Sequence, residues 1–283
     1  MHPLTKTQNT PDTPSARPFL KWVGGKRQLL PELQARLPKK FGCYFEPMIG
    51  GGALFFSLQP SKAVISDINE ELVNTYQVIQ SNIEALIKDL KQHQHEENYF
   101  YELRDKDRSP HYKKWGNVKR ASRFIYLNKT CFNGLYRVNS KGQFNTPFGD
   151  YKNPTIVDEE NLWLCSEALQ NVTIKQAPFT SVLNSAKKGD FAYFDPPYVP
   201  LSTTSNFTSY SKDGFAADLQ TELRDICLAL HEKDVKFMLS NSSAPLVYEL
   251  YKEFRIEEVD ARRQVNSVAS KRGPVKEVIV RNY

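Results

Sequence analysis

Residues 190–198 read Asp-Phe-Ala-Tyr-Phe-Asp-Pro-Pro-Tyr and constrain the fold more than any other stretch. An apolar run of strand length, 191–194, ends in Asp195. Pro196 and Pro197 lack an N–H and cannot extend a β-ladder, so the strand stops there. Each proline also fixes its own φ at about −65° and drives the preceding residue towards extended geometry. The turn is stiff. It holds a carboxylate, the Pro196 carbonyl and the Tyr198 ring at the C-terminal end of a strand, where open α/β sheets bind ligands. That combination suits a flat molecule with an exocyclic amine. The ring stacks on Tyr198, and Asp195 and the Pro196 carbonyl accept the amine's hydrogens.

Asp195-Pro196-Pro197-Tyr198 resembles the motif of the amino-methyltransferases, which transfer a methyl from S-adenosylmethionine to a nitrogen on a planar system. Alone, it fixes the reaction type better than the substrate.

Upstream, residues 43–45 read as a strand leading into Glu46-Pro47-Met48-Ile49-Gly50-Gly51-Gly52 and a helical 53–56. Glycines let the backbone approach a ligand closely, and the helix N-terminus offers N–H groups to a carboxylate. The dinucleotide fingerprint Gly-x-Gly-x-x-Gly is absent, because residue 55 is Phe. A second buried-type strand, 63–67, ends in Asp67, which can accept from ribose hydroxyls. Strand, glycine turn, helix, strand and acid resemble an S-adenosylmethionine site. Gly24-Gly25-Lys26 fails as a phosphate loop: Leu20 and Arg27 stand where a Gly and a Ser/Thr are required, which rejects a nucleotide-triphosphate reading.

Charge singles out two regions. Residues 113–152 hold nine Lys/Arg against Asp150, and 261–283 hold six against Glu277, while the whole chain is only +6. Two basic patches on an otherwise acidic body point to a polyanionic partner. The first lies in a helical stretch from about 69 to 131, where apolar residues recur at helical spacing. A helix over 118–127 carries Lys119, Arg120 and Arg123 opposite an apolar face, and such residues usually hold phosphates. Asn133-Gly134 then signals a tight turn, and 140–143 can close a hairpin between 137–139 and 144–146.

The α/β alternation resumes with a helix over 158–169, a strand over 172–175, and Pro178-Phe179 where a ring could cover an adenine. A helix follows near 179–186, then the opening strand. Residues 200–210 form a long polar loop with aromatics, as a lid would. A helix (216–230), strand (236–240), helix (245–251) and strand (256–259) follow; 262–274 is a basic loop, and 275–281 is a closing strand. Four cysteines form no Cys-x-x-Cys pair, so reduced thiols and no metal site are expected, and His93 and His95 read as solvated surface. No apolar run reaches 18 residues and no signal pattern is present, so a cytoplasmic protein without a membrane span is expected.

Together these motifs resemble the Dam family of DNA adenine-N6 methyltransferases, which includes methylases of GATC-specific restriction–modification systems. The likeness runs from about Pro18 to Tyr283. Its order is Lys-Trp-Val-Gly-Gly-Lys, glycine turn, inserted recognition domain, Asp-Pro-Pro-Tyr. The resemblance implies a Rossmann-like α/β methyltransferase sheet (18–68 and 152–283), an inserted, mainly helical target-recognition domain with a β-hairpin (69–151), and a mobile tail (1–17). It also implies S-adenosylmethionine as cofactor and double-stranded DNA as partner, with a restriction endonuclease as a candidate companion. Trp22, Lys26, Glu46, Pro47, Gly50, Gly52, Asp67, Phe179 and Asp195 would border the cofactor, and Asp195, Pro196, Pro197 and Tyr198 would carry the chemistry. Lys21 and Arg137 would contact guanines, and Leu135 and Pro147 would read the thymine side. Phe132 would lie near the extruded adenine, with Asn133 holding the strands and Asn139 on the same DNA-facing hairpin. Residue 132 is Phe where some of the family have Tyr. An RNA-adenine or protein-glutamine methyltransferase would share the fold without the Arg137 hairpin. A non-catalytic DNA-binding module would keep the basic patches and need not keep Asp195-Pro196-Pro197-Tyr198.

Overall fold

A computed structural model describes residues 14–201, 217–262 and 274–283. In chain order its elements are α1 (Leu30–Ala35), β1 (Tyr44–Pro47), α2 (Ala53–Leu58), β2 (Ala63–Asp67), α3 (Glu70–Ser81), α4 (Ile83–Leu90), α5 (Glu97–Arg104) and α6 (Asn117–Thr130). Then come α7 (Glu159–Ala168), β3 (Val172–Gln176), β4 (Phe191–Phe194), α8 (Ala217–Glu232), β5 (Lys236–Ser242), α9 (Pro245–Leu250), β6 (Arg255–Arg262) and β7 (Pro274–Arg281). The loop expected to act as a lid (202–210) and the basic loop (263–273) lie outside the described residues, as do residues 1–13.

Alternation along β4 explains why the sheet is covered on both faces. Phe191 and Tyr193 join a core with α2, α3, α4, α6 and α7, whereas Ala192 and Phe194 join a second core with α8 and α9. Phe191, Phe194 and Phe237 are fully buried, and each such side chain stabilises by roughly 1.5–3 kcal/mol. The sheet order is β3-β2-β1-β4-β5-β7-β6. Neighbours from β3 to β5 are parallel, and β7 runs antiparallel between β5 and β6. From β1 the chain steps outward to β2 and β3, then returns to β4 on the other side. The β1/β4 divide is therefore the topological switch point, where the carboxyl ends of two strands open a crevice. This mixed α/β fold with a seven-stranded sheet is compatible with the Rossmann-like arrangement expected.

Local chemistry sets the boundaries. Asn69 caps α3 by accepting from Leu72 N at 3.1 Å, and Asp158 caps α7 through Asn161 N at 3.4 Å. Asp190 closes the entry to β4, accepting from Cys43 N at 2.8 Å and Lys187 N at 2.9 Å.

Several expectations need correction. The tail ends earlier than residue 17: Ala16 is buried, and Arg17 pairs with Asp158 at 2.6 Å. Helix α3, just after the expected boundary at 69, packs against α6 and also against β2, β3 and α7. No strand ladder forms over 137–146. Val138 and Phe144 make one isolated antiparallel bridge, flanked by Asn139 N to Gln143 O and Asn145 N to Arg137 O. The Gln143 N–H, which would extend the ladder, goes to Asn139 Oδ1 at 3.1 Å instead of Asn139 O, and the Phe144 N–H points outward and is donated to Asp107 Oδ2 at 2.8 Å. His93 is no surface residue: its side chain is 7% exposed, with ring nitrogens 2.7 Å from Tyr99 Oη and 2.9 Å from Ser122 Oγ. The four cysteines are buried and unpaired. No helix among the described residues is long and apolar enough to cross a membrane.

Candidate active site

At the switch point the strand ends deliver two acids. Glu46 lies within β1 and is buried; its carboxyl accepts from Tyr44 Oη at 2.6 Å, and burial pushes its pKa up to about 8. Asp195 follows β4 directly. Its Oδ1 accepts from Lys26 Nζ at 2.7 Å and from Ser240 Oγ at 3.0 Å, and Ser240 Oγ lies 3.0 Å from Tyr193 Oη. Burial raises the Asp195 carboxyl above its ordinary value, against the lowering pull of the Lys26 ammonium. The side chain is still 22% exposed, so one edge remains open to the crevice.

The Tyr198 ring beside it is held from both ends. Its hydroxyl donates to Glu277 Oε2 at 2.8 Å, and Lys26 Nζ lies 4.5 Å from the ring centroid. The segment carrying the ring is pinned by buried amides and hydroxyls. Gln220 Nε2 donates to Pro197 O at 2.9 Å, Val199 N donates to Asn241 Oδ1 at 3.0 Å, and Ser242 Oγ donates to Val199 O at 2.6 Å. Sequence reasoning missed Gln220, Ser240, Asn241, Ser242 and Glu277 as parts of this site. The signal was present in Ser240-Asn241-Ser242, three small polar residues closing an apolar strand at its ligand-binding end.

Across the divide, the glycine turn approaches its neighbours too closely for side chains. Gly50 (φ 48°) and Gly52 (φ 66°) are left-handed, and an added Cβ would stand 2.7 Å from the Trp22 ring and 2.7 Å from Tyr76 Oη respectively. Asp67 faces the same turn, accepting from Gly50 N at 3.2 Å and Asn69 N at 3.0 Å. Burial raises its pKa. Ile68, next to it, is 71% exposed; an aliphatic residue left bare between an acid and a helix cap was a signal the sequence reading passed over. Phe179 lies just beyond β3, buried in the core on the α8 side. Trp22 stacks on Tyr136 at 5.7 Å, so the turn and the 131–149 segment share one aromatic wall.

A family model described as D12 class N6 adenine-specific DNA methyltransferase matches residues 22–265. The chain belongs to this family. It is 52% identical over 271 residues to the type II methyltransferase M1.LlaDCHI of Lactococcus lactis subsp. cremoris, covering 94% of this chain and 95% of the relative. To the type II methyltransferase M.MjaIII of Methanocaldococcus jannaschii it is 42% identical over 287 residues, covering 94% and 99%. To the DNA adenine methylase of Escherichia coli K12 it is 33% identical over 263 residues, covering 93% and 94%.

The methyltransferase gathers part of its expected DNA-binding set on one face. Asn128 does the joining: its amide accepts from Lys21 N at 2.8 Å and donates to Lys21 O at 2.8 Å and Gly134 O at 3.0 Å. Phe132 N donates to Pro147 O at 2.9 Å. Lys21, Phe132, Asn133, Leu135, Arg137 and Pro147 thus share one neighbourhood. Phe132 is 51% exposed, and Asn133 is left-handed at φ 55°. Arg137 is aimed by Asn145, which takes its Nε at 2.8 Å and an Nη at 3.2 Å.

Other members of that set do not reach the face. Arg123 is buried, paired with Asp107 at 2.9 Å, and donates to the carbonyls of Leu103 and Arg104. Arg120 is held by Glu70 at 2.6 Å and Glu71 at 2.7 Å. Asn139 closes its own turn, accepting from Lys141 N and Gln143 N. Of the α6 cations expected to hold phosphates, Lys119 remains exposed, lying over the Trp115 ring at 4.3 Å. Lys26, expected beside the cofactor, pairs with Asp195, another residue of that expected set.

Proposed function

We propose that this methyltransferase moves a methyl group from S-adenosylmethionine to N6 of an adenine extruded from duplex DNA, within GATC. The observation that carries the reading is an acceptor carboxylate, Asp195, beside a ring platform, Tyr198, at the sheet's switch point. The resemblance to the Dam family supports GATC. Relatives named type II methyltransferases support a companion restriction endonuclease. In this reading residues 18–68 and 152–283 catalyse, and 69–151 recognise the target.

The left-handed glycine turn at the end of β1 and Asp67 at the end of β2, backed by two N–H donors, suit such a cofactor. Trp22, Glu46, Pro47, Gly50, Gly52 and Phe179 would border it, with Asp67 accepting from its ribose. The cofactor supplies an electrophilic methyl on a positively charged sulfur. Extruding the base costs roughly a few kcal/mol, and stacking on Tyr198 offsets about 1–3 kcal/mol of that. The N6 lone pair is delocalised into the ring. Accepting its hydrogens at Asp195 and the Pro196 carbonyl favours a pyramidal, nucleophilic nitrogen. Asp195 need not be a strong base, since a methylated, cationic amine loses its proton readily. Gln220, Asn241 and Ser242 keep the platform oriented.

Incubating the protein with S-adenosylmethionine and unmethylated plasmid should make GATC sites resistant to a nuclease blocked by methylation there. Unprotected GATC sites would overturn the assignment. Asp67→Ala should weaken S-adenosylmethionine by roughly 10–100-fold, the loss of a hydrogen bond to a charged group; calorimetry finding unchanged affinity would remove Asp67 from the site. Arg137 is a planar fork suited to the O6/N7 edge of guanine. Arg137→Ala should lose about 1–3 kcal/mol of discrimination at one G·C pair, so methylation spreads to near-cognate duplexes. If all duplexes slow by the same factor, Arg137 is a phosphate contact.

A further inference from the structure

Lys26 is the unexpected neighbour in the site. Its side chain is nearly buried, and its ammonium has three partners: Gly24 O at 2.5 Å, Asp195 Oδ1 at 2.7 Å and the Tyr198 ring at 4.5 Å from the centroid. The last two are the acceptor and the platform that the target base needs. A base stacked on that face of Tyr198, with its amine on Asp195, and the ammonium cannot hold both places together.

We infer that Lys26 is a place-holder for the target adenine: its ammonium holds the amine's position on Asp195 and Tyr198, and the entering base displaces it. The inference rests on the reading of Asp195 as the amine's acceptor. A desolvated carboxylate needs a partner, and Lys26 supplies one until the base arrives. The Gly24 carbonyl stays available as a pivot for the displaced ammonium. Displacement also frees Asp195 of its counter-charge as the amine arrives, which strengthens it as an acceptor. Lys26 is thus a positioning residue and takes no part in methyl transfer.

The test compares wild type with Lys26→Met across pH, on a GATC duplex with saturating S-adenosylmethionine. The profile of kcat/KM reports the free enzyme and that of kcat the complex. In the free enzyme Lys26 lowers the Asp195 pKa. Without it the ionised form is lost at higher pH, so the acid limb of kcat/KM should move up by roughly 1–3 pH units. The acid limb of kcat should stay, because in the complex Lys26 has already left. Glu46, Tyr44, Tyr193 and Tyr198 also face this carboxylate, and Glu277 accepts from the Tyr198 hydroxyl; all are common to both proteins.

Equal movement of both limbs would make Lys26 a permanent partner, and unmoved limbs with weakened S-adenosylmethionine would make it a cofactor contact. Either result overturns the inference. Lys26→Gln, uncharged but able to donate, gives the same comparison if the Met variant folds poorly. Binding gives a readout free of turnover. At mildly alkaline pH, the preference for adenine over purine at the target position should grow about tenfold or more in Lys26→Met, and an unchanged preference overturns the inference. A wild type that makes no N6-methyladenine, or an Asp195→Ala variant that still does, overturns the functional reading and this inference with it. Normal wild-type methylation with unmoved Lys26→Met profiles and preference overturns the inference alone.

Discussion

Asp195→Ala is expected to lower methyl transfer by roughly 10²–10⁴-fold, with DNA and cofactor binding largely retained. The substitution has a second effect. Lys26 Nζ lies 2.7 Å from the lost carboxylate, and its side chain is only 8% exposed, so the variant strands a cation and its melting temperature should fall. Adding Lys26→Met removes the stranded charge. The double variant should recover thermal stability and stay inactive, which separates the chemical role of Asp195 from its structural one. Near-normal turnover in the single variant would remove Asp195 from the chemistry, as would activity returning together with stability.

Arg123→Met is expected to destabilise the fold by about 3–5 kcal/mol, because it takes one of two ion-pair partners from the buried Asp107 and removes the donors to the carbonyls of Leu103 and Arg104. Among chains of this size that corresponds to a melting temperature lower by roughly 6–15 °C. The pair is deep: the side chains of Arg123 and Asp107 are 5% and 10% exposed. Asp107 also accepts from Phe144 N and pairs with Arg108 at 2.6 Å, so the 137–145 segment should loosen in the same variant. DNA binding by the folded fraction should keep its salt dependence. Lys119→Ala should instead flatten that dependence, since each lost phosphate contact lowers the slope by about one unit. A flattened slope with unchanged stability in Arg123→Met would return Arg123 to the DNA face.

These two residues show what the sequence could reveal. Asp195 was legible because its constraints are local: two prolines end the strand and hold the carboxylate and ring in one turn. The glycine turn and Asp67 were legible for the same reason. Arg123 was not. On α6, Ala121 to Asn128 are all buried, because the helix is covered by α3, α4 and α5. The terminal carbonyls of Leu103 and Arg104 lack partners within α5, and Arg123 supplies donors to both. No spacing rule places a helix C-terminus and an acid from elsewhere in the chain beside one arginine. His93 was misread for the same reason: it lies in the connection between α4 and α5, and its partners Tyr99 and Ser122 lie on α5 and α6. Asn128 resembles any polar helical residue until Lys21 and Gly134 are brought to it.

On the proposed function, Trp22 couples the two ligand faces. Its ring lies against Gly50 on one side and stacks on Tyr136 on the other, and its neighbour Lys21 is tied through Asn128 to the turn at Gly134. A ligand that orders the glycine turn therefore also orders the wall behind Arg137. Linkage is reciprocal: whatever factor the cofactor adds to the affinity for specific DNA, that DNA adds to the affinity for the cofactor. On the proposed function, the two substrates are expected to bind as a coupled pair, with Trp22 as the physical link between them.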